Sequence, residues 1–234
     1  MSAPVFPPLF SGLDAAGADP FGLACAKASE VCDAGLVCYD LGHDRLRAAM
    51  VFAPEVPLRT AACILPLCGV GIQNALGALA PPEVGVHLGW PGEIYVNGGR
   101  CGALRIAAAT RDPEAIPDWL VIGLTIDLWP PSEDTGLTPD ATALYAEGCG
   151  DVDPATLVEA WVRHTLVQIN AWTDEGTARL HRDWLAVAHG LKTAVTVGGH
   201  EGIFIGIDED LGLLLKTKDT ARMIPLTTLL AEPA

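Results

Sequence analysis

"GWPGEIYVNGGRCGALRI" (89–106) is the stretch from which the fold can be read. Its centre, Asn97-Gly98-Gly99, is turn chemistry, because Asn and Gly accept the positive φ that tight hairpins demand. The flanks "EIYV" and "RCGALRIAAA" are rich in residues that suit a pleated sheet, so 93–109 reads as a β-hairpin. Working outward, "VGVHLGW" (84–90) precedes it as a strand, and "DWLVIGLTIDL" (118–128) follows as a long apolar strand. Further upstream, "GLVCYDL" (35–41) and "RLRAAMVFA" (45–53) are joined by only Gly42-His43-Asp44, which implies a second hairpin.

Helices occupy the gaps. Asp19-Pro20 supplies an N-cap and a first helical residue for a helix to about Asp33, stopped at Gly35. A second helix is expected near 62–79, before Pro81-Pro82. No charge occurs between Arg59 and Glu83, a length that would span a bilayer. Pro66, Gln73, Asn74 and three glycines within it favour a buried core helix instead. Residues 154–171 place Leu157, Val158, Trp161, Val162, Thr165 and Ile169 on one stripe, and a further helix is expected over 175–188. Residues 129–140, rich in proline and acid, form a loop. After His189-Gly190 the pattern changes to short strands at 192–198, 202–207, 211–217 and 221–225, so a second unit is expected over 189–234 after a first over 1–188.

Composition narrows the function classes. Fourteen Lys and Arg against twenty-nine Asp and Glu give a formal charge of −15. Such a surface repels phosphate backbones and anionic membranes, so neither nucleic acid nor membrane is an expected partner. "APVFPPLF" near the N-terminus lacks the basic flank of a secretory signal and suits an extended arm. Seven cysteines, without a close pair, suggest a reduced, cytoplasmic protein with neither a disulfide framework nor a zinc site.

The quoted stretch resembles the KWPNDL segment and following Lys-x-x-Gly of biotin protein ligases. Trp90-Pro91 match, Glu93 stands where that family has an acid, and Arg100 falls at the spacing of its catalytic lysine, followed by Gly102 and Ala103. "VIGLTIDL" (121–128) resembles the family strand ending in Gly-Ile-Asn, and "GIFIGIDEDLGLLL" resembles its small SH3-like C-terminal domain. The resemblance covers about 35–130 and 180–230. It implies an α+β fold of the class II synthetase-like biotin/lipoate ligase type, a mixed or antiparallel sheet packed with helices, followed by a small SH3-like β-barrel. It also implies ATP and biotin or lipoate as ligands, a small carboxylic acid joined to AMP, and a biotinyl or lipoyl carrier domain as acceptor.

The departures concern the reaction centre. The family's Gly-Arg-Gly-Arg-Arg-Gly loop is replaced by "GHD", its lysine before Trp-Pro by Gly89, and the Asn after it by Gly92; the Gly-Ile-Asn amide becomes Asp127. Conventional adenylation is therefore not expected. Two function classes follow: a divergent acyl-transferring ligase with Arg100 steadying the charged centre, or a non-catalytic binder of a small acid or carrier domain.

The candidate residues each carry two readings. Trp90, Pro91 and Glu93, with Gly102 and Ala103, line a ligand pocket or pack a turn. Arg100 grips a carboxylate or phosphate, or is simply solvated. Asp127 contacts ligand or caps the next turn. Asp40, His43 and Asp44 form an acid–base or metal cluster, or are turn formers. His87 faces the pocket or is a satisfied core histidine. Cys101 (or Cys38) is a thiol nucleophile or a buried apolar thiol. The remaining histidines (164, 181, 189 and 200) show no ligand spacing.

Overall fold

The computed structural model describes residues 3–130, 140–218 and 220–231. Two strands set the architecture, β3 (Arg45–Phe52) and β7 (Leu120–Asp127), which pair antiparallel along their whole length from Arg45↔Asp127 to Phe52↔Leu120. Both are apolar on both faces because both faces are covered. Leu46, Ala48, Met50, Ile122, Leu124 and Ile126 belong to one core, and Ala49, Val51 and Val121 to another. A continuous rather than alternating apolar run is what such a strand requires.

Outward from this pair lie β2 (Leu36–Leu41) on one side and β6 (Gly99–Ala108), β5 (Glu93–Val96) and β4 (Val86–Leu88) on the other. All these neighbours are antiparallel. Both hairpins expected from the sequence form. Asn97 and Gly98 take φ of 50° and 90° between the paired Val96 and Gly99, the geometry of a two-residue primed turn. One strand was not foreseen: β1 (Ser11–Asp14) follows the N-terminal arm and pairs parallel with β2 at the sheet edge. The result is a seven-stranded mixed sheet, β1-β2-β3-β7-β6-β5-β4.

Helix α1 (Pro20–Glu30) covers one face. The Asp19 carboxylate caps it by accepting from the backbone of Phe21 and Gly22, and it ends three residues before the expected Asp33. The uncharged segment is a short turn, α2 (Leu58–Ala61), followed by α3 (Ile64–Leu79). Together these are long and apolar enough to cross a membrane, but 72% of the most apolar window is buried within the molecule. Helix α3 lies under the opposite face of the sheet beside α4 (Pro154–Glu175), which outruns its expected end; Gly176, at φ 71°, separates it from α5 (Thr177–Ala186). The loop expected over 129–140 lies outside the described residues except Trp129, Pro130 and Asp140.

The C-terminal strands β8 (Ala194–Val197), β9 (His200–Ile207), β10 (Leu213–Lys216) and β11 (Ala221–Ile224) form an antiparallel sheet of order β11-β10-β9-β8. The C-terminal segment is fastened to the rest of the fold by side-chain and backbone contacts. The Trp90 indole donates to the Leu211 carbonyl at 2.8 Å, and Trp184 packs on Phe204. The backbone N–H of Ala231 donates to the Ile106 carbonyl.

Helices α3 and α4 approach through Gly71, where an added Cβ would lie 2.5 Å from the fully buried hydroxyl oxygen of Thr165. Trp161 fixes the same interface by donating to the Cys68 carbonyl. Gly71→Ala is therefore expected to destabilise the fold by about 1–3 kcal/mol through overpacking. Urea denaturation checks this, and an unchanged midpoint would refute so close a contact.

Candidate functional site

Strand β2 ends at Leu41 and β3 begins at Arg45, leaving only Gly42-His43-Asp44 as the connection of the hairpin. This short closure brings strand-end side chains to one place. Asp40 on β2 stands opposite Arg47 on β3 and accepts from its Nη2 and Nε at 2.6 and 3.2 Å. Arg45 on β3 stands opposite Asp127 on β7, with Nε donating to Oδ1 at 2.6 Å. These pairs are partly exposed, so each is worth at most about 1 kcal/mol and serves mainly to orient its side chains.

Around them opens a cleft of about 680 Å³. Asp40, His43, Arg100 and Asp127, four of the residues singled out in the sequence, all line it. Arg45 and Arg47 line it too, and the sequence reading passed over both. Asp44 makes the lining charges, among the described residues, three cations against three acids, a local balance in a chain of net charge −15. Among the described residues, Arg100 is the cleft arginine without an ion pair. Its backbone is held on both sides, next to Tyr95 of β5 and by bonds with Asp140 and Thr142. Trp129 forms part of the wall beside His43, the rings 6.1 Å apart and nearly parallel.

His43 is exposed and bonded to Asp44, whereas Asp40 is engaged by Arg47 and by the Gly17 backbone N–H. No group of three or more His, Cys, Asp or Glu side chains among the described residues is placed to hold a metal ion. The next row of that sheet face is filled. Arg105 donates to both Asp19 oxygens and lies 4.0 Å over the Phe21 ring, which packs where a Gly123 Cβ would be. Burial alone would raise the Asp19 pKa, but Arg105 and the helix N–H groups hold it below the ordinary carboxylate value.

The Trp-Pro segment faces elsewhere. Trp90 is buried and, with Glu93, borders a small cavity between α3, the 89–92 turn and the C-terminal residues Leu211 and Leu226. Glu93 accepts from the Tyr95 hydroxyl at 2.9 Å, and burial together with Glu93 pushes the Tyr95 pKa up to about 12. Gly92, at φ 102°, has no room for a Cβ beside the Leu104 carbonyl, and a Cβ on Gly102 would meet the Thr125 carbonyl at 2.2 Å. Ala103 sits in register between Glu93 and Thr125. His87 is exposed, neither a core histidine nor in the cleft, because strand β4 turns it outward at the sheet edge.

The thiols are poorly suited to nucleophilic work. All seven cysteines are free, and Cys101 and Cys38 are completely buried. Burial, reinforced by Asp127, raises Cys101 to about 12, and burial raises Cys38 to about 11. A thiolate is the attacking species, so neither supplies one near neutral pH.

ATP and an acid are the ligands the fold family implies, and the lining can be tested against each. A triphosphate needs surplus cations or a flexible glycine-rich cover. Here the connection is three residues long, and Arg45 and Arg47 already face carboxylates. The residues present do not fit a triphosphate. A single carboxylate beside Arg100 makes smaller demands.

Comparison with known proteins bears on the family and the fold. The model of the biotin/lipoate A/B protein ligase family matches residues 6–186, and a domain of unknown function matches 192–232. A biotin–[acetyl-CoA-carboxylase] ligase from Paracoccus denitrificans is 24% identical over 185 residues, 75% of each chain. A crystal structure of a biotin protein ligase-like protein of unknown function from Silicibacter sp. TM1040 superimposes with a TM-score of 0.93 at 56% identity, covering 98% of this chain and 100% of that one. A mutant biotin protein ligase from Aquifex aeolicus in complex with biotin shares the fold, with a TM-score of 0.72 at 15% identity over 93% and 96% of the two chains.

The burial pattern predicts the order of thiol modification. Iodoacetamide at pH 7.5 should label the half-buried Cys32 in the native protein and leave Cys38 and Cys101 unmodified until denaturant is added. Peptide mass spectrometry checks this; rapid native labelling of Cys101 would contradict its burial.

Proposed function

The chain belongs to the biotin/lipoate A/B protein ligase family, and from that premise we propose that it binds a small carboxylic acid of the biotin or lipoate class in the cleft around Arg100, without activating it with ATP. The observation that carries this reading is the three-residue closure of the β2–β3 hairpin beside an arginine that has no ion pair among the described residues. A guanidinium offers a carboxylate two parallel donors, a stronger arrangement than a lysine's point charge. Arg45 and Arg47, faced by Asp127 and Asp40, set the shape and local charge of the cleft. Trp129, 46% exposed, offers an apolar surface for the body of the acid.

A biotinyl or lipoyl carrier domain is the protein partner in keeping with this reading. The C-terminal strands we take as a small SH3-like unit over 189–234, after a ligase-like unit over 1–188. Arg100 at the position of the family's catalytic lysine also supports a second reading, acyl transfer from a preactivated donor to a carrier lysine. A cysteine route has less support, because the buried thiols resist ionisation.

ATP–pyrophosphate exchange, measured separately with biotin, lipoate and octanoate, should stay at background with folded protein. Exchange with any one acid would overturn the reading and identify a substrate. In calorimetry, Arg100→Ala should weaken binding of the acid by about 1–3 kcal/mol, the usual cost of losing a charge-assisted contact. An unchanged affinity would remove Arg100 from the site.

A further inference from the structure

Arg100 reaches the cleft from the second residue of β6, a place where a strand end would ordinarily fray. Its backbone is flanked by two segments, the β5–β6 turn at Asn97 and the stretch 140–142. Arg100 donates its N–H to the Asp140 carbonyl at 2.9 Å and accepts from the Thr142 N–H at 2.9 Å. One carboxylate joins the two flanks. Glu147, at the end of the short 3-10 helix Leu144–Glu147, accepts from the Asn97 side-chain amide through Oε2 at 2.8 Å. It accepts from the Thr142 hydroxyl through Oε1 at 2.5 Å. Asn97 is in turn fixed by Gly85, whose N–H donates to its Oδ1 at 2.9 Å while the Asn97 N–H donates to the Gly85 carbonyl. Gly99 allows the closeness of the two flanks, since a Cβ there would sit 2.8 Å from the Thr142 methyl carbon.

We propose that Glu147 is a positioning residue for acid binding, its two oxygens stapling Asn97 and Thr142 across Arg100 so that the guanidinium is held ready in the cleft. The inference rests on the reading of Arg100 as the acid-gripping residue. Glu147 need not touch the ligand. It acts by removing the freedom of the backbone from which Arg100 projects, and a recognition side chain whose support is loose loses affinity even when present. The bond chemistry ranks the variants. Glu147→Ala removes both arms. Glu147→Gln keeps an acceptor for Thr142 but turns a donor toward the Asn97 amide, which is already a donor. Thr142→Val removes one arm while preserving shape.

Two measurements test this on the full chain. In hydrogen exchange followed by mass spectrometry, Glu147→Ala should lose protection in peptides covering 97–102 and 140–142, while α3 and α4 keep theirs. Unchanged protection at those two segments overturns the proposal whether or not any acid binds. Calorimetric titration with biotin, lipoate and octanoate supplies the second test. Glu147→Ala should weaken the acid that binds by about fivefold, within the range of coupling between neighbouring groups. Glu147→Gln and Thr142→Val should fall between it and the original protein. In an Arg100→Ala background, Glu147→Ala should have no further effect; a full fivefold loss there would mean that Glu147 does not act through Arg100. An Arg100→Ala chain that binds as well as the original defeats the proposed function itself. Loss with Arg100→Ala but none with Glu147→Ala defeats only the positioning role.

Discussion

The pairing of β3 with β7 is the constraint from which the rest follows. Eight residues on each strand are matched without a break, and the chain must cover both faces of that pair or leave apolar surface in water. Helix α1 closes one side and α3 with α4 the other, which explains why a helix as uncharged as α3 is tolerated. The same register fixes the cleft. With Arg45 opposite Asp127, and Asp40 opposite Arg47 one strand away, the polar ends of three strands converge while their middles remain apolar. A slip of one residue would send each side chain to the opposite core and part Arg45 from Asp127.

Much of the fold was legible because its signals are local. Asn97-Gly98 and Gly42-His43-Asp44 announce hairpins by turn chemistry, and Asp19-Pro20 announces a helix start by capping. The parallel strand β1 gives no such signal; it is four residues long, and its partner β2 lies across α1 in the sequence. For the site, Asp40, His43, Arg100 and Asp127 converge as a group, but Arg45 and Arg47 were missed because their meaning lies in cross-strand register. A motif match also conveys less than a contact. The Trp-Pro segment resembles its family counterpart, yet the bond that Trp90 makes runs to Leu211, 121 positions away in the connection between β9 and β10. Gly92 and Gly102, family departures or matches on paper, are fixed here by the absence of room for a side chain.

The cleft also illustrates how a local charge balance arises in an acidic protein. Of fourteen cationic residues in the chain, three among the described residues line this opening, two of them facing a carboxylate. A background of −15 disfavours a highly charged anion more than a singly charged one, in keeping with the monoanion with an apolar body that we propose for the site.

The Arg45–Asp127 contact spans 82 positions of sequence, and it marks the length of chain that must be gathered before the central pair can form. Both hairpins can assemble from neighbouring residues within microseconds, but neither buries its faces until β7 arrives. Closing that long loop costs chain entropy before the central core is gained, and a topology with such distant pairings folds more slowly than one built from local contacts. During that wait α3, the most apolar segment of the chain, has no sheet to rest on, and cellular chaperones would meet it first.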